Sequence, residues 1–311
     1  MQSLNDLKIL DAIERFRSIR KAADHMSLTP SALSRKILAL ETQFGVELFE
    51  RTSKGLRLNR SGQYLTVYAR SQLAEFEKVR GELQAIKKTT SGHVRICASQ
   101  SVLESFLPVH LARFQLNNPK VTVSINHSSS ARAMTDLQEY HSDIGLCLNL
   151  SDHTDLSVLG DADQEIYAVV TTSHPLAAER EVSIAEIARH QIVLPPQGSG
   201  LRLMLDQHAN RENTFLTPAV ESNTYASIAS ACRNAGLVTF GLSLYEQTED
   251  GAGNVALIRI RKMPPANVRL VKLHGRTLSP AADKLARYLG NRMRGRAVAD
   301  AGQTTPQATQ G

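Results

Sequence analysis

Several things are scarce in this sequence, and each shortage removes a class of explanation. It has no tryptophan, and aromatic residues make up only 5% of it. No run of eighteen apolar residues occurs, which argues against a transmembrane helix or any membrane partner. The opening MQSLNDLKIL lacks a basic segment followed by an unbroken apolar one, so no secretory signal is read and a cytoplasmic location is expected. Three cysteines (Cys97, Cys147 and Cys232) are too few and too far apart for a zinc pattern or a disulfide framework. The ten histidines show no paired metal spacing, and no Gly-x-Ser-x-Gly elbow is present. The expectation is therefore no metal, no cofactor, no catalytic group and no enzyme.

What is present is unevenly placed. The 311 residues carry a net charge of +6. Residues 1–91 hold 16 basic and 10 acidic side chains, and the remainder is balanced. A basic third attached to a neutral remainder suggests a nucleic-acid-binding end joined to a separate module. A hydrophobic content of 42% supplies cores for two or three folding units over this length.

Residues 1–59 read as short helices followed by a basic hairpin. Leu4, Leu7, Leu10, Ile13 and Phe16 recur at helical spacing. Ser18 can cap a second helix to Met26, with the small pair Ala22-Ala23 allowing close packing. Thr29 is a good N-cap, and Pro30 suits the first helical position, where no amide hydrogen is needed. The third helix is expected over about 30–41, with Leu33, Ile37 and Leu40 inward and Ser31, Ser34 and Arg35 on other faces. Two extended pieces then flank Ser53-Lys54-Gly55, with Arg51, Lys54 and Arg57 as cations. Asn59 can cap a long helix over residues 60–88. Its Leu65, Gln72, Val79 and Ile86 recur every seven residues, with Tyr68, Phe76 and Leu83 between them. Such a seam wants a second copy of itself. A hinge at 89–92 precedes alternating strands and helices, the signature of an α/β unit with a parallel sheet. One helix is expected over 102–116 and a last one over 280–293. A disordered tail is expected from residue 296.

A helix-turn-helix lays its second helix in the major groove, and Thr29, Pro30, Ser31, Ser34 and Arg35 form that helix's start here. The wing cations Arg51, Lys54 and Arg57 would sit at the DNA backbone or minor groove and add salt-dependent affinity. The stretch KAADHMSLTPSALSRKILALETQFGVELFERTSKGLRLNRSGQYL resembles the N-terminal domain of LysR-type transcriptional regulators. Ala22-Ala23, Ser34-Arg35, Leu40-Glu41, Gly45, Leu48-Phe49, Arg51 and Leu58 to Gly62 carry the likeness. Thr29 stands where many members have Gln, and Asn59 where they have Thr. Further on, Asp143-Ile144-Gly145-Leu146, the His174-Pro175-Leu176 segment and Leu278 to Ala282 match as well.

The resemblance implies a mainly α winged helix-turn-helix domain (1–59) and a linker dimerisation helix (60–90). An α/β effector domain of the periplasmic-binding-protein type 2 fold would follow (91–295). Its subdomain I would take about 91–161 and 267–295, and its subdomain II about 162–266. The ligand would sit in the cleft between them. Helix N-termini at the ends of parallel strands favour anions. Candidate contacts are Ser99, Gln100, Ser101, Ser128, Ser129, Ser130 and Asn149 from one half. Gln197, with Gly198-Ser199, and Asn223 and Thr224 would come from the other. The expected partners are double-stranded DNA, a small polar or carboxylate effector and further copies in a dimer or tetramer, with RNA polymerase admitted as another. Two alternatives stay open: a redox-sensing regulator using Cys97 and Cys147, and a solute-binding protein or enzyme built on the α/β domain.

Overall fold

The computed structural model describes residues 4–52, 55–86, 90–150, 152–224, 235–243 and 255–301. Two compact units form, one on residues 1–89 with 139–141 and one on 90–138 with 142–311.

The first unit begins with α1 (Leu4–Phe16), α2 (Ile19–His25) and α3 (Pro30–Phe44). Local chemistry sets their starts. The Ser18 hydroxyl accepts from the Lys21 amide at 3.4 Å, and Thr29 Oγ1 accepts from the Ala32 amide at 3.2 Å, with Pro30 opening α3. α3 runs three residues past the expected Glu41 and stops at Gly45, whose φ of 67° is left-handed. Ile9, Leu10, Ile13, Ala22, Ala23, Leu33 and Leu40 make the core. The hairpin β1 (Phe49–Thr52) and β2 (Gly55–Leu58) pairs Phe49 with Leu58 and Glu50 with Arg57.

Asn59 Oδ1 accepts from the Gly62 amide at 2.9 Å and opens α4 (Arg60–Ile86). A Cβ at position 62 would lie 2.1 Å from the Leu48 carbonyl oxygen, so only glycine lets α4 leave the hairpin along this path. Further along, the buried Arg70 pairs with Asp11 at 2.8 Å and with Glu14, fastening α4 to α1.

The second unit starts with a five-stranded sheet of order β4-β3-β5-β13-β6. β3 (Gly92–Ala98), β4 (Val121–His127) and β5 (Ile144–Leu148) are parallel. β6 (Leu156–Gln164) and β13 (Ala266–Leu273) run antiparallel to each other. The helix expected over 102–116 is in fact two, α5 (Gln100–Ser105) and α6 (Leu107–Asn117). Pro108 explains the break, because proline has no amide hydrogen and its ring clashes with a preceding turn.

α7 (Ser130–Gln138) joins β4 to β5. The chain leaves this sheet after Gln164 and returns at Ala266. Between those points it forms β7 (Ile166–Thr171), β8 (Glu181–Val182), β11 (Thr239–Leu242) and β12 (Val255–Ile260), in the order β11-β7-β12-β8. It also forms the parallel pair β9 (Ile192–Leu194) and β10 (Pro218–Glu221), with α8 (Ile184–Ile187) and α9 (Gly200–Arg211). One continuous apolar core, from Val94 through Phe240 to Met293, serves both sheets.

α10 (Pro280–Ala301) closes the fold and is longer than expected. Residues 296–301, assigned in advance to a disordered tail, are helical, as their alanine content favours. The rest of that expected tail, 302–311, lies outside the described residues.

Asp143, at the foot of β5, is the electrostatic centre of the first sheet. Its carboxylate accepts from the Arg95 amide at 2.8 Å and the Arg95 guanidinium at 2.9 Å, and it pairs with Arg276. Burial pushes this carboxyl up. The opposing charge and hydrogen bonds of Arg95, with Arg276, outweigh that and hold it below the usual range.

Candidate functional site

α3 has two distinct faces. Leu33, Ile37 and Leu40 are buried, and Ser31, Ser34 and Arg35 are exposed. Thr29 and Pro30 are exposed at its start, where Thr29 Oγ1 lies 3.1 Å from Ser31 Oγ. On β2 the Arg57 side chain is exposed and 3.9 Å from Glu50, a separation at which surface charges hold each other weakly. Lys54 and the Arg51 side chain lie outside the described residues. Short hydroxyls beside one guanidinium, on the exposed face of the helix's first turns, form a donor set for base edges or phosphates.

A second site lies in the second unit, where the ends of β3, β4 and β9 face one another across a cavity of about 260 Å³. Eight of the ten residues expected there line it: Ser99, Gln100, Ser101, Ser128, Ser129, Ser130, Gln197 and Asn223. Asn149 and Thr224 are not among the lining residues. Asn149 turns to a left-handed φ of 50° and spends its side chain elsewhere. Its Oδ1 accepts from the Asn267 amide at 2.8 Å and its Nδ2 donates to Met204 Sδ at 2.6 Å, so it clips β13 and α9 to the end of β5. Thr224 folds into a turn in which its amide donates to the Ser222 hydroxyl at 3.2 Å.

Most cavity serines also hold the fold. Ser99 Oγ accepts from the Leu148 amide at 2.9 Å, Ser129 Oγ from the Arg132 amide at 3.3 Å and Ser199 Oγ from the Arg202 amide at 3.4 Å. Each keeps its own O–H proton to offer. Ser128 and Ser130 instead donate inward, to Asp136 Oδ2 at 2.7 Å and to the Leu148 carbonyl at 2.6 Å. Leu148, Pro195, Pro196, Leu201, Phe240 and Leu242 give the apolar wall. No Asp, Glu, Lys or Arg lines the cavity; His127 is its titratable group, among the described residues. α7 and α9 start at its rim and turn their positive ends toward it. The arrangement suits a small molecule with an apolar body and an oxygen-rich, hydrogen-bond-accepting end.

Two features escaped the sequence reading. His127 is the last residue of β4, directly before the serine triplet, and that position was the available signal. Arg70 gave none, because its partners lie 56 and 59 residues earlier. Cys97 and Cys147 are fully buried, and the Cys97 thiol donates to the Ile144 carbonyl at 3.7 Å. The neighbouring Cys97 and burial push the Cys147 thiol up, while Cys147 in turn holds the Cys97 thiol below its usual value; neither has the exposure that oxidation chemistry requires. Cys232 lies outside the described residues.

Comparison with known proteins covers both units. Residues 4–63 match the family model for bacterial regulatory helix-turn-helix proteins of the lysR family, and residues 87–294 match the LysR substrate binding domain. A transcriptional regulator of Bacillus subtilis, YybE, itself uncharacterized, is 25% identical over 287 residues, which is 91% of this chain and 96% of that protein. Among solved structures, a full-length OxyR variant from Pseudomonas aeruginosa superposes with a TM-score of 0.72 at 17% identity, covering 98% of this chain and 99% of that one. Full-length CbnR complexed with its target DNA gives 0.65 at 17% identity, covering 94% and 100%. At these identities the two structures speak for the fold alone.

Proposed function

The chain belongs to the LysR family of transcriptional regulators, and from that premise we propose that a small acid held in the cavity controls how α3 and the hairpin grip duplex DNA. The observation that carries the reading is the split of α3 into a buried apolar stripe and an exposed face bearing Ser31, Ser34 and Arg35. Arg35 is the cation for a guanine edge or a phosphate, Ser31 and Ser34 supply short donors, and Arg57 with Arg51 and Lys54 supplies backbone affinity. That a neighbour in fold was solved on its target DNA agrees with this use of the head.

In the cavity, the O–H protons of Ser99, Ser129 and Ser199 and the positive ends of α7 and α9 meet an acceptor oxygen, while Phe240 and Leu242 cover an apolar body. A carboxylate fits this set better than an ammonium group, for which no lining Asp or Glu is at hand. Closing the cavity on ligand changes the spacing of paired DNA-binding heads. The pairing surface is the outer face of α4, where Tyr68, Phe76, Val79, Leu83 and Ile86 are all exposed in the single chain. Among the described residues no helix is long and apolar enough to cross a membrane, and a regulator acting on bacterial DNA works in the cytoplasm. No catalytic role is proposed; the relatives are named as transcriptional regulators.

The test is a thermal-shift screen of the full-length chain against small aliphatic and aromatic carboxylates, each beside its amide. Stabilisation by an acid and not by its amide, together with a changed DNA affinity when that acid is present, is the expected result. An acid that stabilises the protein and leaves DNA affinity unchanged contradicts the switch.

A further inference from the structure

The exposed face of α3 carries one residue that its polar neighbours do not explain. Leu38 is 63% exposed, while the helix's other leucines, Leu33 and Leu40, are buried. At 100° per residue, Ser31, Ser34, Arg35 and Leu38 fall at i, i+3, i+4 and i+7 and form one stripe, pointing away from the stripe of Leu33, Ile37 and Leu40. Leu38 sits about 10 Å along the axis from Ser31, within one major-groove length of contact. The i, i+3, i+4, i+7 spacing is the one by which a recognition helix lying in that groove reaches successive base edges. An exposed leucine on a face otherwise made of hydroxyls and a cation costs solvation in the free protein, and one base edge rewards it: the C5-methyl of thymine.

We propose that Leu38 is a specificity residue that reads a thymine methyl group in the major groove. The inference rests on α3 being the recognition helix and adds a base preference to it. Ser31, Ser34 and Arg35 read or position by hydrogen bonds; Leu38 reads by apolar contact and rejects cytosine, which lacks the methyl.

The experiment begins with selection of duplexes from a random pool by the full-length protein. In the selected site, each thymidine is then replaced singly by deoxyuridine, which deletes the methyl and keeps the base pair. The wild-type chain is expected to lose about fourfold in affinity at one thymine per half-site, the worth of one buried methyl group. Leu38→Ala is expected to bind the thymine and uracil duplexes equally. Its melting temperature should match the wild type, because the side chain is exposed. The proposal is overturned if no thymine shows a methyl effect, or if Leu38→Ala keeps the same effect as the wild type. A protein that selects no sequence at all removes the recognition-helix premise along with the proposal, whereas sequence selection without methyl sensitivity removes the proposal alone.

Discussion

The exposed face of α3 and the lining of the cavity use the same chemistry, short hydroxyls beside helix starts, and use it differently. On α3, Ser34 and Arg35 face solvent and no buried group leans on them. In the cavity, Ser99, Ser128, Ser129, Ser130 and Ser199 each hold a backbone amide, a carbonyl or a carboxylate of the fold. Substitution on α3 should therefore cost binding without costing stability, and substitution in the cavity should cost both. A surface that reads a stiff, external partner can leave its side chains idle until contact. A cavity inside a module of this size has to be built from groups that also pack it.

The largest expected effect lies in the second unit, away from the cavity lining. Asp143→Asn leaves the buried Arg276 and the partly buried Arg95 short of their counter-charge, at a cost of about 3 kcal/mol. Because the Asp143 carboxyl is held below its usual value, its stabilisation is present above the unfolded value of about 3.9 and is lost as pH falls through the lower folded one. Chemical denaturation between pH 3 and 7 should show the second unit weakening at the acid end, and the Asn variant should lack that part of the slope.

Next comes Gly62→Ala. The added methyl meets the Leu48 carbonyl, so the first unit should lose about 1–3 kcal/mol and DNA affinity with it. The second unit's melting should stay unchanged; a shift there would break the separation of the two regions.

Ser128→Ala is smaller, about 1–2 kcal/mol, because it strips the buried Asp136 of a hydrogen bond that the Arg132 side chain replaces only in part. Ser34→Ala is the matched control and should move the melting temperature within error while weakening DNA binding. Equal stability losses in these two variants would contradict the comparison outright.

How much of this was legible in advance follows the range of the interactions. The caps at Ser18, Thr29 and Asn59 were readable because each acts within three residues of itself. Parallel β3, β4 and β5 were readable from their apolar runs, and six cavity residues followed from where β3 and β4 end, while Gln197 and Asn223 came from the family resemblance. β6 was not readable. Its LSVLGDADQ is polar and owes its strand state to β13, more than a hundred residues later. Helix α9 packs Leu201, Leu205 and Ala209 into the core, but the buried Arg202 and His208 interrupt that stripe in the sequence; Arg202 is held by Asp206, Glu221 and the Pro195 carbonyl. Asn149 looked like a ligand contact because it follows a strand of the right type. Its left-handed backbone turned it instead to Asn267 and Met204. The break at Phe106 had a visible cause in Pro108 that the apolar pattern across it concealed.

The most direct test of the account is a titration of the full-length chain on its selected duplex, repeated across a salt series for the wild type and for Arg35→Ala. The account predicts that the logarithm of the wild-type affinity falls linearly with the logarithm of salt concentration. It also predicts that Arg35→Ala binds at least about tenfold more weakly at every salt, the worth of a lost charged hydrogen bond, with an unchanged melting temperature. Equal binding by the two proteins at matched stability would contradict it.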